Sequence, residues 1–440
     1  MKKVAVLGAG FVTKPAVDYF LDTCGYKVTL TSINIEEAEK LINNRPGGQA
    51  ICWTIDQLDL LDKIVSEADL VLSMIPPLMH IPVAKACLKH KKNMVTASYV
   101  SPEMEGLHPK ALDRDILILN EIGEDPGLDN MGAKQMIDEI KSQNGKVVSL
   151  TSYGAGLPSF EHNNNPFGYK FSWSPMGVIL AARTPAVYLE NGKKIDVPAK
   201  ELFNRHRPVD LEGIGNFETY PNRDCRGYVD QFGLDDDVSL YRGVLRYPGW
   251  CSTMKALMAL NFLDNIQEKK FKQTTYAQLT ASLMGPNSEE DVLNQAVDFL
   301  KREKDSKTIE KFKWLGLFED NQITISKGTN ADVLVDLMLK KMSYGPDEKD
   351  MVIVANEIIA QFPDHEEKRT AAMLIEGIPG GDSAMSRAVS LPAAIACKLI
   401  LNGEIKAKGV HRPLSSEVYT PVLKEMAELG IHFKRKTTQL

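Results

Sequence analysis

A chain of 440 residues with 43% hydrophobic and 25% charged residues has the composition of an ordinary globular protein and is long enough for two or three domains. Its formal net charge of −6 argues against nucleic acid as the main partner, yet leaves room for a small anionic ligand held by a few local cations. Six cysteines without a Cys-x-x-Cys pair read as reduced thiols, and no apolar run reads as membrane-spanning, so the expectation is a cytoplasmic protein with no membrane partner.

The first 122 residues alternate strand and helix signals. "VAVLG" is a short buried strand, followed by a helix from about Pro15 to Cys24. "KVTLTS" is a second strand, and "IEEAEKLINN" a helix with Asn34 as its cap. "AICWTI", "DLVLSMIP", "NMVTASY" and "ILILNE" are further strands with helices between them. Continuous apolar strands alternating with helices predict a parallel sheet covered on both faces. Beyond "KVVSLTSYGAG" the loops lengthen. "AVYLENGKKIDVP" predicts a hairpin turning at Asn191-Gly192. Between Ser252 and Met342 the signals are mainly helical: "MKALMALNFLD", "SEEDVLNQAVDFLKR", "TIEKFKWLGLF" and "ADVLVDLMLKKM". "DMVIVANEI" and "RTAAMLIEG" read as strands returning to the middle region. "SAMSRAVSLPAAIACKLIL" reads as a long helix interrupted by Pro392, and a helix capped at Ser415 or Ser416 closes the chain.

The turn "GAGFVTKP" joins the first strand to the first helix. Gly8 permits a sharp turn, Gly10 permits close approach of a pyrophosphate, and the helix start offers N–H groups and a positive dipole end. Thr13 stands where the dinucleotide fingerprint has its third glycine. At the end of the second strand, Ser32, Ile33 and Asn34 include neither the acid that would bind a ribose diol nor the arginine that would favour NADP. NADP is the expected cofactor, because no carboxylate of that stretch repels a 2′-phosphate, and NAD stays open. Ile75 and Pro76 after the fourth strand, Ser98 and Tyr99 after the fifth, and Asp125 after the last fall on the edge where an open parallel sheet presents its ligand crevice. Each by itself equally suits a plain turn. Lys170 and Trp173 in "YKFSWSP", Arg223 in "YPNRD" and Arg246 in "RGVLRYPGW" set cations beside aromatics, an arrangement that suits a carboxylate and equally suits a surface arginine stacked on tyrosine.

At these residues the chain resembles the saccharopine dehydrogenases that form L-glutamate, and it is similar to the C-terminal half of animal aminoadipic semialdehyde synthase. "GLPSFEHNNNPFGYKFSWSPMGV", "YPNRD", "RGVLRY" and "KMSYGPDEKDM" carry the likeness most specifically, with "GAGFVTKP", "NMVTASYVSPEM" and "DPGLDNMGA" beside them. The resemblance implies an α/β protein. A variant Rossmann domain, 1–125, is completed by 385–440. A second α/β domain, 126–255 with 345–384, binds substrate, and 256–344 form a small helical domain. It implies the reaction saccharopine + NAD(P)+ + water ⇌ 2-aminoadipate 6-semialdehyde + L-glutamate + NAD(P)H, with a homodimer left open as the assembly. Carried over by position, Gly10, Phe11 and Val12 fall on the nucleotide loop. Ser98, Tyr99 and Asp125 fall at the nicotinamide and substrate, and Tyr99 and Asp125 are the acid–base candidates. Ser174, Arg223 and the triplet Val244, Leu245 and Arg246 fall on substrate positions. The amides and Lys170 of "NNNPFGYKFSWSP" are expected to bind an elongated ligand bearing several carboxylates, and its aromatics to keep water out. The chain departs from the pattern at Gly154, where the family often has cysteine, at Glu124, where leucine is common, and at Ile33, where fungal members have arginine. A carboxynorspermidine-type dehydrogenase and a non-catalytic nucleotide-sensing relative are the alternatives. No histidine stands out, and no metal is expected.

Overall fold

A computed structural model describes residues 1–285 and 291–440. Two compact units result, Met1–Gly154 with Met351–Leu440, and Ala155–Asp350.

The first unit is built on a parallel sheet. Its strands are β1 (Lys3–Leu7), β2 (Lys27–Ser32), β3 (Gly48–Cys52), β4 (Leu70–Ser73), β5 (Asn93–Val95) and β6 (Leu117–Leu119). They lie in the order β3-β2-β1-β4-β5-β6, and Gly409–His411 adds a seventh parallel strand beside β6. β1 is the central strand, with Leu7 opposite Thr31 on one side and Ser73 on the other. The order therefore reverses between β1 and β4, where a doubly wound sheet opens its crevice. β1 and β4 are almost wholly buried, which explains their unbroken apolar runs. The first helix, α1 (Lys14–Asp18), continues into a π turn at Tyr19–Thr23, and α2 (Ile35–Ile42) starts at its Asn34 cap.

The C-terminal segment belongs to the same compact unit. Helix Ala384–Leu401 packs on α1, and Arg412 pairs with Glu121 at 3.1 Å. That helix runs unbroken through Pro392, contrary to the interruption read from sequence, because most of its residues are buried by packing. Its length and composition would also let it cross a membrane, although the sequence reading found no such run; most of it is buried inside the protein.

Strands Asp350–Gln361 and Glu366–Glu376 pair antiparallel along their length, and Lys434–Gln439 pairs with the latter. That pairing draws residues 351–384 into the first unit, whereas the sequence assigns them to the substrate domain. The final strand is polar and exposed throughout, so it carries no hydrophobic period to betray it.

In the second unit, strands Arg207–Leu211, Gly215–Pro221 and Ser239–Arg246 form an antiparallel sheet. The hairpin Ala186–Glu190/Lys193–Val197 turns at Asn191 and Gly192, both with positive φ, as the Asn-Gly pair predicts. Helices Trp250–Ala259, Val292–Leu300, Lys307–Leu315 and Asn330–Lys341 match the helical signals, and Ser288–Glu290 of one signal lie outside the described residues. Helix Tyr276–Met284 was not foreseen, although Thr275 and Gln278 form a complete capping box at its start. The helical stretch 256–344 sits in the same compact unit as these strands.

Candidate active site

In the first unit, three turns stand at the carboxyl ends of the strands. Gly8 ends β1 with φ +103°, and a Cβ there would lie 2.9 Å from the Met74 carbonyl oxygen, so only glycine fits. Its N–H donates to the Thr31 carbonyl (3.0 Å), tying the loop to β2. Thr13, at the third-glycine position, is buried and donates its hydroxyl to the Gly8 carbonyl at 3.0 Å. The loop is thus closed by a side-chain hydrogen bond instead of a third glycine. Gly10 is exposed, and no atom lies within 4 Å of the position its Cβ would take. Phe11 is exposed and Val12 half-buried beside it.

At the end of β2, Ser32 is buried and Asn34 exposed. The Ser32 hydroxyl accepts from the Asn34 N–H (3.1 Å), and the Asn34 side chain accepts from the Glu36 N–H (3.0 Å). Both polar groups therefore already serve the start of α2. Glu37 brings a carboxylate oxygen to 3.4 Å from the Ser32 hydroxyl. The sequence reading placed no carboxylate at this edge, because Glu37 lies one helical turn beyond the strand end. Ile33 is 77% exposed and lies free at the rim. After β4, Ile75 is half-buried and Pro76 exposed; after β5, Ser98 is half-buried.

Tyr99 and Asp125 are brought together, with the Tyr99 hydroxyl 2.7 Å from Asp125 Oδ1. Asp125 sits in a narrow loop in which Gly123 donates to the Pro126 carbonyl (2.9 Å). A Cβ on Gly127, at φ +150°, would fall 2.1 Å from the Gly123 carbonyl oxygen, so glycine is required. Gly154 flanks the same carboxylate: a Cβ there would stand 3.1 Å from Asp125 Oδ2. The glycine that replaces the expected cysteine gives Asp125 its room.

The second unit holds the cations. Arg246 is buried beneath aromatics, its guanidinium 5.1 Å from the Tyr169 ring and 5.4 Å from Trp250. One nitrogen donates to the Leu245 carbonyl (2.8 Å), while Nε has no hydrogen-bond partner among the described residues. Its cross-strand neighbour Glu218 is committed elsewhere, accepting from the N–H groups of Gly249 (3.0 Å) and Cys251 (2.6 Å) at a helix start. A buried guanidinium with an unused N–H beside an aromatic wall is suited to a carboxylate.

Lys170 is also buried, but its ammonium pairs with Glu348 at 2.5 Å. Burial alone would raise the Glu348 pKa; the Gly345 N–H, Lys170 and Asn164 outweigh it and hold the carboxyl at about 2. Asn164 also donates to Glu348, and Asn165 ties its own loop to the Tyr169 carbonyl. Asn164, Asn165 and Lys170 of "NNNPFGYKFSWSP" thus hold the loop in shape, and its buried Phe167, Tyr169 and Phe171 form the wall. Ser174 is exposed and caps helix Pro175–Ala181, accepting from Gly177 N–H at 3.2 Å. Arg223 is exposed in the left-handed region (φ +57°), and its carbonyl accepts from Val187 N–H. Val244 and Arg246 share one face of their strand, whereas Leu245 points to the other, fully buried. The triplet therefore does not act as one set of side chains.

The model of the saccharopine dehydrogenase NADP binding domain matches residues 4–119, and that of the saccharopine dehydrogenase C-terminal domain matches 123–431. The chain belongs to the saccharopine dehydrogenase family. It is 35% identical over 446 residues to saccharopine dehydrogenase [NADP(+), L-glutamate-forming] of Pyricularia oryzae, covering 99% of both chains. It is 36% identical over 445 residues to the mitochondrial alpha-aminoadipic semialdehyde synthase of Rattus norvegicus, covering 99% of this chain and 48% of that one. The chain therefore spans about half the length of the animal synthases it matches, and essentially all of the fungal dehydrogenases. The apo saccharopine dehydrogenase (L-Glu forming) of Saccharomyces cerevisiae superposes with a TM-score of 0.90 at 33% identity, over the whole of both chains.

Sequence reasoning missed several residues at these candidate positions. His80 bridges Ser73 and Ser98. Glu37 reaches Ser32, and Glu348 neutralises Lys170. His80 stood inside the stretch "MIPPLMH", but a histidine at the start of an apolar helix gives no period or spacing that marks it. Pairings such as Lys170–Glu348 link positions far apart in the chain and carry no local signal.

Proposed function

We propose that this chain is an NADP-dependent, L-glutamate-forming saccharopine dehydrogenase of lysine metabolism. It would interconvert saccharopine, NADP+ and water with 2-aminoadipate 6-semialdehyde, L-glutamate and NADPH. The observation that carries the reading is the end-to-end match to fungal chains bearing that name, with no part of either chain left over beyond about a hundredth. Bound NADP would supply the chemistry of accepting a hydride from the substrate carbon attached to the secondary amine.

The open space at Gly10 and the tethered turn at Gly8 suit a pyrophosphate, so these residues, with Phe11 and Val12, would hold it. Ser32, Ile33 and Asn34 would border the adenosine ribose, and Ile75, Pro76 and Ser98 the nicotinamide. Asp125, oriented by the Tyr99 hydroxyl, would face the reacting nitrogen and accept a proton as the imine is formed and hydrolysed. Arg246 would take one substrate carboxylate on its unused N–H, and Arg223 a second, with Ser174 and Val244 lining the way. Lys170 would shape the wall through Glu348 instead of binding substrate directly. A cytoplasmic, reducing environment suits six cysteines that are all free thiols.

The test is turnover by the purified protein. Saccharopine with NADP+ should raise the NADPH absorbance, and semialdehyde with glutamate should lower it. Turnover of carboxynorspermidine in place of saccharopine would move the assignment to that dehydrogenase. NADPH binding without turnover of either would make the chain a nucleotide sensor.

A further inference from the structure

His80 opens helix His80–His90 and is 3% exposed. Its ring lies between hydroxyls on both sides. Nδ1 is 2.9 Å from the hydroxyl of Ser73, which ends β4 and is fully buried. Nε2 is 2.8 Å from the hydroxyl of Ser98 and 3.3 Å from that of Thr96. Thr96 also accepts from the Ser98 N–H at 3.3 Å, and the Ser98 carbonyl accepts from Glu121 N–H at 3.0 Å. The whole of Ser98 is thus held: backbone by Thr96 and Glu121, side chain by His80. Ser73 and Thr96, at the ends of two adjacent strands, and His80 are all buried, and through His80 and Thr96 they hold Ser98, whose residue is half-buried at the sheet edge.

We infer that His80 is a positioning residue for Ser98, fixing which way that hydroxyl presents itself in the nucleotide crevice. The chemistry follows from the proton count of the ring. A neutral imidazole carries one N–H, so one nitrogen donates and the other accepts. The unprotonated nitrogen has a single lone pair, so in the Nδ1–H tautomer Nε2 accepts one hydroxyl, and that of Ser98 at 2.8 Å is nearer than that of Thr96 at 3.3 Å. In that tautomer Nε2 accepts the Ser98 O–H and Nδ1–H donates to Ser73. Ser98 turns its hydrogen inward and its lone pairs outward, ready to accept from a carboxamide or amine N–H. Burial, which depresses the His80 pKa to about 4, keeps the ring in this neutral form near neutral pH. An imidazolium would donate from both nitrogens and reverse the Ser98 hydroxyl.

This inference rests on the proposed placing of Ser98 beside the nicotinamide, and its test separates the two. Three variants grade the contact. In His80→Gln the amide carbonyl can reach Ser98, in His80→Asn the shorter amide reaches only Ser73, and His80→Leu makes neither bond. The NADPH dissociation constant, from fluorescence, and kcat for saccharopine are measured for each, alone and combined with Ser98→Ala. His80→Leu and His80→Asn should weaken NADPH binding and lower kcat by about tenfold, the worth of one well-placed hydrogen bond, and His80→Gln should recover most of it. In the Ser98→Ala background none of the three should cost more than about twofold further. Equal losses with and without Ser98, or no difference between Gln and Asn, would overturn the inference and leave His80 a plain packing residue. If the parent protein turns over no saccharopine, the proposed function falls, and the NADPH cycle alone still decides the role of His80.

Discussion

Replacing Arg246 by methionine isolates the charge at a site where shape also matters. The side chain is 4% exposed, packed against Tyr169 and Trp250, and leaves Nε with no partner among the described residues. Methionine has similar length and fills much of the same space, so the aromatic wall should keep its packing. The hydrogen bond to the Leu245 carbonyl is lost, but that carbonyl lies on a strand whose neighbours remain. Folding stability should therefore change by no more than about 1–2 kcal/mol. A substrate carboxylate would lose a buried, charge-assisted contact worth about 2–4 kcal/mol, or roughly 30-fold to several hundredfold in KM for saccharopine. Affinity for NADPH, measured by fluorescence, should stay within about twofold of the parent. Arg246→Lys should fall between, because an ammonium keeps the charge but not the planar fork. Initial rates across saccharopine concentrations, with melting temperature as a control, give the answer. A methionine variant with an unchanged KM would refute the assignment, as would a KM rise matched by an equal loss of NADPH affinity.

Four further outcomes follow from the same geometry. Gly10→Val should leave the melting temperature unchanged, since nothing lies within 4 Å of the new side chain's first atom, yet abolish NADPH binding; retained fluorescence quenching would contradict it. Ile33→Asp should shift the kcat/KM ratio toward NAD and Ile33→Arg toward NADP, because the side chain stands free at the rim; shifts under about twofold in both would show that residue 33 does not face the ribose. Gly154→Ala should lower kcat by about tenfold with little change in NADPH affinity, because its Cβ would press on Asp125 Oδ2 from 3.1 Å; an unchanged kcat would show that Asp125 does not need its observed position. His80 is held at a pKa of about 4, below its unfolded value of 6.5, so its contribution to stability is full above pH 6.5 and is lost as pH falls from there to 4. That loss is at most about 3 kcal/mol, and urea midpoints at pH 7 and pH 4.5 should differ more in the parent than in His80→Gln.

Local patterns determined a good deal of this protein. The apolar strands of the first 122 residues, the Gly8–Gly10 turn, the Asn34 cap and the Asn191-Gly192 hairpin each follow from neighbouring residues alone, because side-chain period and backbone freedom are local properties. The likeness of "YKFSWSP", "YPNRD" and "KMSYGPDEKDM" to one family pointed to the substrate side before any geometry was known. Tertiary structure alone decided which groups meet. It gave Lys170 to Glu348 across 178 positions, and Asp125 to Tyr99 across 26. It set Leu245 on the opposite face from Arg246, and it drew residues 351–384 to the first unit through pairing with a polar terminal strand. It also buried His80 between three hydroxyls. The physical reason is common to all of these. Whether a charge is free, paired or buried depends on partners brought close by the fold, and a hydrogen bond reaching only about 3 Å leaves no trace in the spacing of residues along the chain.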